Sequence, residues 1–414
     1  MYSGFLNNNL YPLLKDIENF YNASTTEEGL FNQQILLYAP KSTGKSYTIE
    51  KFSDAFNIKY IGLDFYDSTN VRKIISTKSD IIDDYSIIHL KFCSLEFNDS
   101  VNLEKILFDI NSWFTRLQNR VMLIISTNEF NSKLFEMCNE YLVYKFGCLS
   151  IDEKVNIIKD YLNNKPFYLA DTLIKDIIKR YTQESGVAQL LNCIKRIHAY
   201  CVINKIKEIT DEVVRKILGV PRYIFHEIDT CYQMGVGLGW TKYGGKVLLL
   251  EVLIKQGCGK LEIVGNIKKT MHDSIILVYR VLIDNAERLS LNKEIIENSD
   301  LTISIPELAE NKDGASMGSA IFLKLFCLFS KKKLNQKIAL SGEITLSGNI
   351  IRVGGLKEKL SAAEIANIRT IILPKQSEYE VNLIGNTLLD KFNIFYVNDI
   401  YELIDILKNY HYFC

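Results

Sequence analysis

Apolar positions fall along this chain in two patterns. Short runs that are apolar almost throughout read as strands: Ile35-Leu36-Leu37-Tyr38, a buried one, then Tyr60-Ile61-Gly62-Leu63, Tyr85-Ser86-Ile87-Ile88-His89-Leu90 and Val121-Met122-Leu123-Ile124-Ile125. Longer segments repeat apolar residues every three or four positions, as amphipathic helices do: one through Ile157, Ile158 and Tyr161, others from Leu173 to Tyr181 and Val187 to Ile203. Ser150 with Glu153 is a capping-box start for the first of these helices. In the second half, Ala320 to Phe329 is apolar nearly all round, which predicts an interior helix. Internal repeats and low-complexity tracts are absent from the sequence.

The strand at 35–38 runs into Ala39-Pro40-Lys41-Ser42-Thr43-Gly44-Lys45-Ser46, and a helical segment from Tyr47 to Phe56 follows. This is a phosphate-binding loop in strand–loop–helix context. Backbone amides around Gly44 would cradle phosphates, Lys45 would reach the β- and γ-phosphates, and Ser46 would ligate Mg²⁺. The expected ligand is ATP or ADP with Mg²⁺. Alanine at 39 replaces the first glycine of the pattern and leaves the phosphate end whole.

A second kind of chemistry lies further on. Ser316 sits among small residues in Asp313-Gly314-Ala315-Ser316-Met317-Gly318, just ahead of the interior helix. A tight turn feeding a helix N-terminus exposes the hydroxyl and aims N–H groups at an incoming oxyanion. Such a serine needs a base. A helix beginning at Gly354-Gly355 puts Leu356, Leu360, Ala363 and Ala366 on one face with Lys359, whereas Lys357 falls elsewhere. An ammonium on an apolar face loses hydration, its pKa falls, and the neutral amine can take a serine proton. The blander readings are a helix cap for Ser316 and a snorkelling side chain for Lys359. A third is the G-x-S-x-G elbow of the α/β-hydrolases. That motif wants a strand directly before it and a later histidine; a polar stretch, 310–313, intervenes, and His411 is the one histidine downstream.

Composition narrows the setting. The 414 residues allow two or three domains, and 49 basic residues balance 49 acidic ones, so no net field draws the chain to nucleic acid. No apolar run reaches membrane-spanning length, and the N-terminus lacks a basic-then-apolar leader pattern. Nine cysteines without a C-x-x-C pair suggest reduced thiols in a cytosol-like compartment, and five scattered histidines show no metal-ligand spacing.

From about Gly219 to Ile404 the sequence resembles the proteolytic domain of Lon proteases, which use a Ser-Lys dyad. The resemblance is carried by Leu218-Gly219-Val220, by Gly235-Val236-Gly237-Leu238-Gly239-Trp240-Thr241 with Gly244-Gly245, and by Gly257-Cys258-Gly259-Lys260-Leu261. Lys312-Asp313-Gly314, Ser341-Gly342-Glu343-Ile344-Thr345-Leu346, Gly354-Gly355-Leu356-Lys357-Glu358-Lys359 and Ile371-Ile372-Leu373-Pro374 continue it. It implies a catalytic pair of Ser316 and Lys359, with no cofactor for the peptide chemistry. Ser341 matches a threonine that bonds the catalytic lysine, and Asp313 an acidic residue that is structural or gates the dyad. Ala315 and Met317 depart from the family's proline and alanine.

The resemblance also implies an AAA+ ATPase ahead of the protease. There the strand at 85–90 should end in Asp-Glu but meets Lys91 and Phe92, and Asp64 comes one element too early. Asn128 matches the polar sensor of the γ-phosphate. No arginine finger occurs from Leu134 to Tyr144, and Ala188 stands at the second-sensor arginine. The expected architecture is multi-domain: an α/β P-loop AAA+ module over 1–147, a helical lid over 148–220, and an α+β Lon-type protease domain over 221–414. The family's large N-terminal domain is expected to be missing. The family further implies protein or peptide substrates, a hexameric ring and a cytoplasmic or mitochondrial-matrix setting. Two other functions fit less of the pattern: a fully ATP-driven unfoldase-protease with diverged motor motifs, and a non-catalytic nucleotide-binding assembly factor.

Overall fold

The computed structural model describes residues 10–24, 33–65, 85–92, 100–115, 121–128, 132–163, 165, 167–221, 235–241, 244–306, 311–384 and 386–413. Glu310 of the polar stretch before the serine lies outside them. The chain divides into two compact units, Met1–Tyr168 with Glu184–Lys207, and Leu169–Gln183 with Glu208–Cys414. The 148–220 segment expected to form one lid is therefore shared between both units.

The first unit is built on five strands: β1 (Gln33–Tyr38), β2 (Lys59–Phe65), β3 (Ser86–Phe92), β4 (Val121–Thr127) and β5 (Leu142–Lys145). They pair in the order β2-β3-β4-β1-β5, every pair parallel. Alternate residues serve opposite faces. Leu36, Ile88, Leu123 and Ile125 pack with Ile106, Leu107 and Ile110 of helix Ser100–Phe114. Ile35, Leu37, Ile87, Met122 and Ile124 pack with Leu13, Leu14 and Ile17 of helix Tyr11–Ser24 and with Ile49 and Phe52 of helix Lys45–Ala55. Burial on both sides explains why β1, β3 and β4 read as unbroken apolar runs, whereas β2 and β5, at the edges, are only partly covered. The capping box at Ser150 and Glu153 forms as expected and opens helix Ile151–Leu162. Helix Ala188–Asn204 completes the unit.

The second unit carries a seven-stranded mixed sheet, β14-β13-β10-β6-β7-β9-β8, and a small β11–β12 hairpin. Its strands are β6 (Gly235–Thr241), β7 (Gly244–Gln256), β8 (Leu261–Val264), β9 (Ser299–Ser304), β10 (Ile338–Leu340), β11 (Glu343–Ile344), β12 (Ile350–Ile351), β13 (Thr370–Pro374) and β14 (Asn393–Val397). Helix Gly318–Ser330, the serine helix, covers one face: Met317, Ala320 and Ile321 pack with Leu250, Leu340 and Ile372. Helix Leu356–Ile365, the lysine helix, covers the other: Leu356, Leu360 and Ala363 pack with Val236, Leu238, Ala339 and Ile371. Neighbouring residues such as Ala339 and Leu340 point to opposite faces, so the sheet itself separates the two helices. Tyr181 Oη donates to the Gly219 carbonyl at 3.0 Å, tying helix Asp171–Tyr181 to the end of helix Asp211–Leu218 within this unit. Among the described residues, no helix is long and apolar enough to cross a membrane.

Candidate active site

Ser316 is the middle residue of a 3₁₀ turn, Ala315–Met317, that leads directly into the serine helix. Gly314 enters the turn at φ +102°, a conformation open to glycine. Asp313 is exposed, and its Oδ1 accepts from the Gly314 N–H at 2.8 Å, so its carboxylate braces the turn. The Gly342 N–H donates to the Ser316 carbonyl at 2.9 Å, and the Ser319 N–H donates to the Gly342 carbonyl at 3.0 Å. Met317, where the family carries alanine, packs its side chain on Gly237 of β6. Ser316 itself is half-buried.

Lys359 lies in the first turn of the lysine helix and is 1% exposed, enclosed with Leu356, Leu360 and Ala363. Burial pushes its amine down from 10.5 to about 8, against an opposing pull from Glu358 and Glu380. Lys357, two positions earlier, is only half-buried. Helical phase thus selects the lysine the sequence singled out. Ala362 is buried as well, although the wheel left it off the apolar face, because the β6–β7 ladder reaches around to it.

Ser341 connects the two faces. It follows β10, is fully buried, and its Oγ donates toward the Leu238 carbonyl at 3.3 Å and the Ser316 carbonyl at 3.5 Å. Leu238 belongs to the apolar set that includes Leu356, Leu360 and Ala363 of the lysine helix. The hydroxyl is therefore shared between backbone carbonyls, that of Leu238 the nearer, where the resemblance implied the lysine. The elbow alternative fails on geometry. The His411 carbonyl accepts from Asn335, which lies beyond the C-terminal end of the serine helix, some 20 Å of helix from Ser316.

The nucleotide loop occupies the C-terminal end of β1. Gly44 precedes the helix at φ +88°, and Ser46 is half-buried. Lys45 Nζ donates to the carbonyls of Ala39 at 2.5 Å and Pro40 at 2.9 Å, and to Asn128 Oδ1 at 2.8 Å. The structure thus brings Asn128 to the loop lysine. Ala39 is fully buried, lies outside the positive-φ region, and donates its N–H to Thr127, so the missing glycine leaves no strain there. The Val187 N–H donates to the Ser42 carbonyl at 3.1 Å, and Gly186 lies flush against that carbonyl.

The acidic arm of a hydrolytic site is replaced. Lys91, in register with Asp64, forms a 3.6 Å ion pair with it, so the early carboxylate is engaged between strands. His89, fully buried in β3, sits between Tyr60 Oη at 2.9 Å and Ser126 Oγ at 2.7 Å. Burial, with Lys91 and Lys45 nearby, lowers its pKa to about 3, so it is a neutral structural bridge. Neither contact was anticipated from sequence, although a histidine inside an apolar strand was a signal for a buried polar partner. Among the described residues, no group of His, Cys, Asp and Glu could hold a metal ion.

A serine at the mouth of a helix and a buried, desolvated amine in the first turn of another are the equipment of a serine-type hydrolase. Residues 208–409 match the family model described as the Lon protease (S16) C-terminal proteolytic domain, and this part of the chain belongs to that family. The Lon protease of Flavobacterium johnsoniae is 32% identical over 70% of this chain and 38% of its own length. That of Buchnera aphidicola subsp. Acyrthosiphon pisum is 31% identical over 69% and 39%, and that of Clostridium acetobutylicum 29% over 69% and 39%. The matches span less than two fifths of these relatives, and they extend beyond 208–409 into the first half of the chain.

Proposed function

We propose that the protein is a Lon-like serine endopeptidase acting on protein or peptide substrates through Ser316 and Lys359. The observation that carries this reading is the buried Lys359 amine, with its pKa near 8, in a chain that also sets Ser316 in a turn at a helix N-terminus. Neutral Lys359 takes the Ser316 Oγ proton as Oγ attacks the scissile carbonyl. Backbone amides of the 315–317 turn, set at a helix N-terminus, hold the oxyanion. The tetrahedral intermediate collapses, the proton passes to the leaving amine, and the Ser316 ester is then hydrolysed by water activated by the same lysine. Asp313 and Ser341 brace the turn. A homohexameric ring is the assembly that the family suggests.

The first unit serves as a nucleotide-binding AAA+ module. Its strand order, its loop and the Lys45–Asn128 contact fit the phosphates of ATP or ADP. Bound nucleotide would supply phosphate charge for Lys45, with Mg²⁺ held through Ser46. Lys91 and Phe92 stand where carboxylates would polarise water, so this reading has weak or absent hydrolysis. Cleavage of a fluorogenic peptide is expected to respond equally to Mg-ATP and to a non-hydrolysable analogue, and to disappear in Ser316→Ala. Stimulation by ATP alone, lost in Lys45→Met, would instead favour the fully ATP-driven protease. No cleavage under any condition would favour the assembly factor.

A further inference from the structure

The lysine helix is met by the end of the β6–β7 ladder that finishes in the Thr241–Gly244 pair. Trp240 of β6 and Gly245 of β7 are cross-strand partners, so they share one face of the sheet, and that face carries the lysine helix. A Cβ built on Gly245 would lie 1.9 Å from the Glu358 carbonyl oxygen, 2.5 Å from its carbon and 3.0 Å from Ala362 Cβ. Two of these three atoms are backbone, next in sequence to Lys359, and cannot rotate aside. Beside it, the Trp240 ring covers Gly355, the N-cap of the same helix, with ring atoms 2.6 Å from where a Cβ would stand.

We propose that Gly245, with Trp240 opposite it, is a positioning residue for the catalytic base: its bare α-carbon lets the ladder clamp the first turn of the lysine helix and keep Lys359 covered. The proposal rests on the dyad reading of the site. A methyl group at 245 must push the Glu358 carbonyl away by more than an ångström to reach an ordinary carbon–oxygen contact. A displacement of that size at a catalytic group can cost about 100-fold in rate.

Movement would also admit water to the amine. Desolvation is what lowers Lys359, while Glu358 on its own helix and Glu380 on helix Glu378–Asn382 raise it. β6 carries no titratable side chain, and those of β7 are Lys246, Glu251 and Lys255. Loosening the clamp weakens the one lowering influence and leaves the two carboxylates acting, so the amine must move back toward 10.5.

The test is a titration of Lys359 itself in full-length protein labelled with ¹³C-lysine, its ε-methylene signal assigned by loss in Lys359→Met. The midpoint is expected to rise by one pH unit or more in Gly245→Ala. Peptide cleavage should fall about 100-fold in kcat with little change in KM. Trp240→Ala removes a side chain that is 54% exposed, so that variant folds and carries the titration should Gly245→Ala not fold; a smaller upward shift is expected. An unchanged midpoint in a folded variant overturns the clamp. Because the titration needs no cleavage, an inactive protein whose midpoint still moves would sink the peptidase reading and leave the clamp standing. An active one whose midpoint stays fixed does the reverse.

Discussion

Lys359→Met is expected to abolish peptide cleavage while leaving the protein at least as stable as wild type. Methionine keeps the length of the side chain and removes the amine, so the serine loses its base. Groups that act as a unit fail together, and the fall in kcat is expected to be on the order of 10⁵-fold or more. Stability should move the other way. A buried amine is a cost to the fold, and an apolar side chain of similar volume relieves it. The sign follows from linkage. The folded protein releases its Lys359 proton near pH 8 and the unfolded chain near 10.5, so between those values the unfolded state holds more protons and wild-type stability rises with pH. The stability advantage of Lys359→Met is therefore full below pH 8, shrinks across that window and is gone above 10.5. Urea unfolding of both proteins at pH 7 and pH 10.5 measures this. A variant clearly less stable than wild type at pH 7 would mean that Lys359 holds the fold together.

Ser316→Ala is expected to remove cleavage to the same degree, with one readout that Lys359→Met does not share. Removal of Oγ leaves no atom to acylate, so a serine-directed fluorophosphonate that adds mass to the Ser316 peptide in wild type adds none in Ser316→Ala. The substitution deletes one hydroxyl from a half-buried turn that is held through the Ser316 carbonyl, so unfolding should change little. Labelling of another serine with retained cleavage would move the nucleophile elsewhere.

Much of this site was legible because its signals are local. The small residues around Ser316 and the 3.6-residue phase of the lysine helix fix what each segment does on its own. The loop at 39–46 and the Ser150–Glu153 cap are likewise short-range patterns that the structure reproduces. Three features were hidden because they join residues distant in sequence. Ser341 bonds the Ser316 carbonyl across 25 positions, and its orientation depends on where β10 meets β6. Asp64 and Lys91 meet only through the register of β2 on β3. Gly245 appears in sequence as one of many motif glycines, and only the approach of Glu358 gives it a reason. The sharing of 148–220 between two units has the same origin: helical periodicity marks each apolar face but not the surface it packs against.

The pH dependence of kcat/KM for a fluorogenic peptide tests the central claim most directly, because it reports the ionisation of the free enzyme's base. A buried lysine base predicts activity that rises through a midpoint near pH 8 and vanishes at every pH in Lys359→Met. A midpoint near 6.5, an activity that ignores pH in this range, or cleavage that survives Lys359→Met would contradict it.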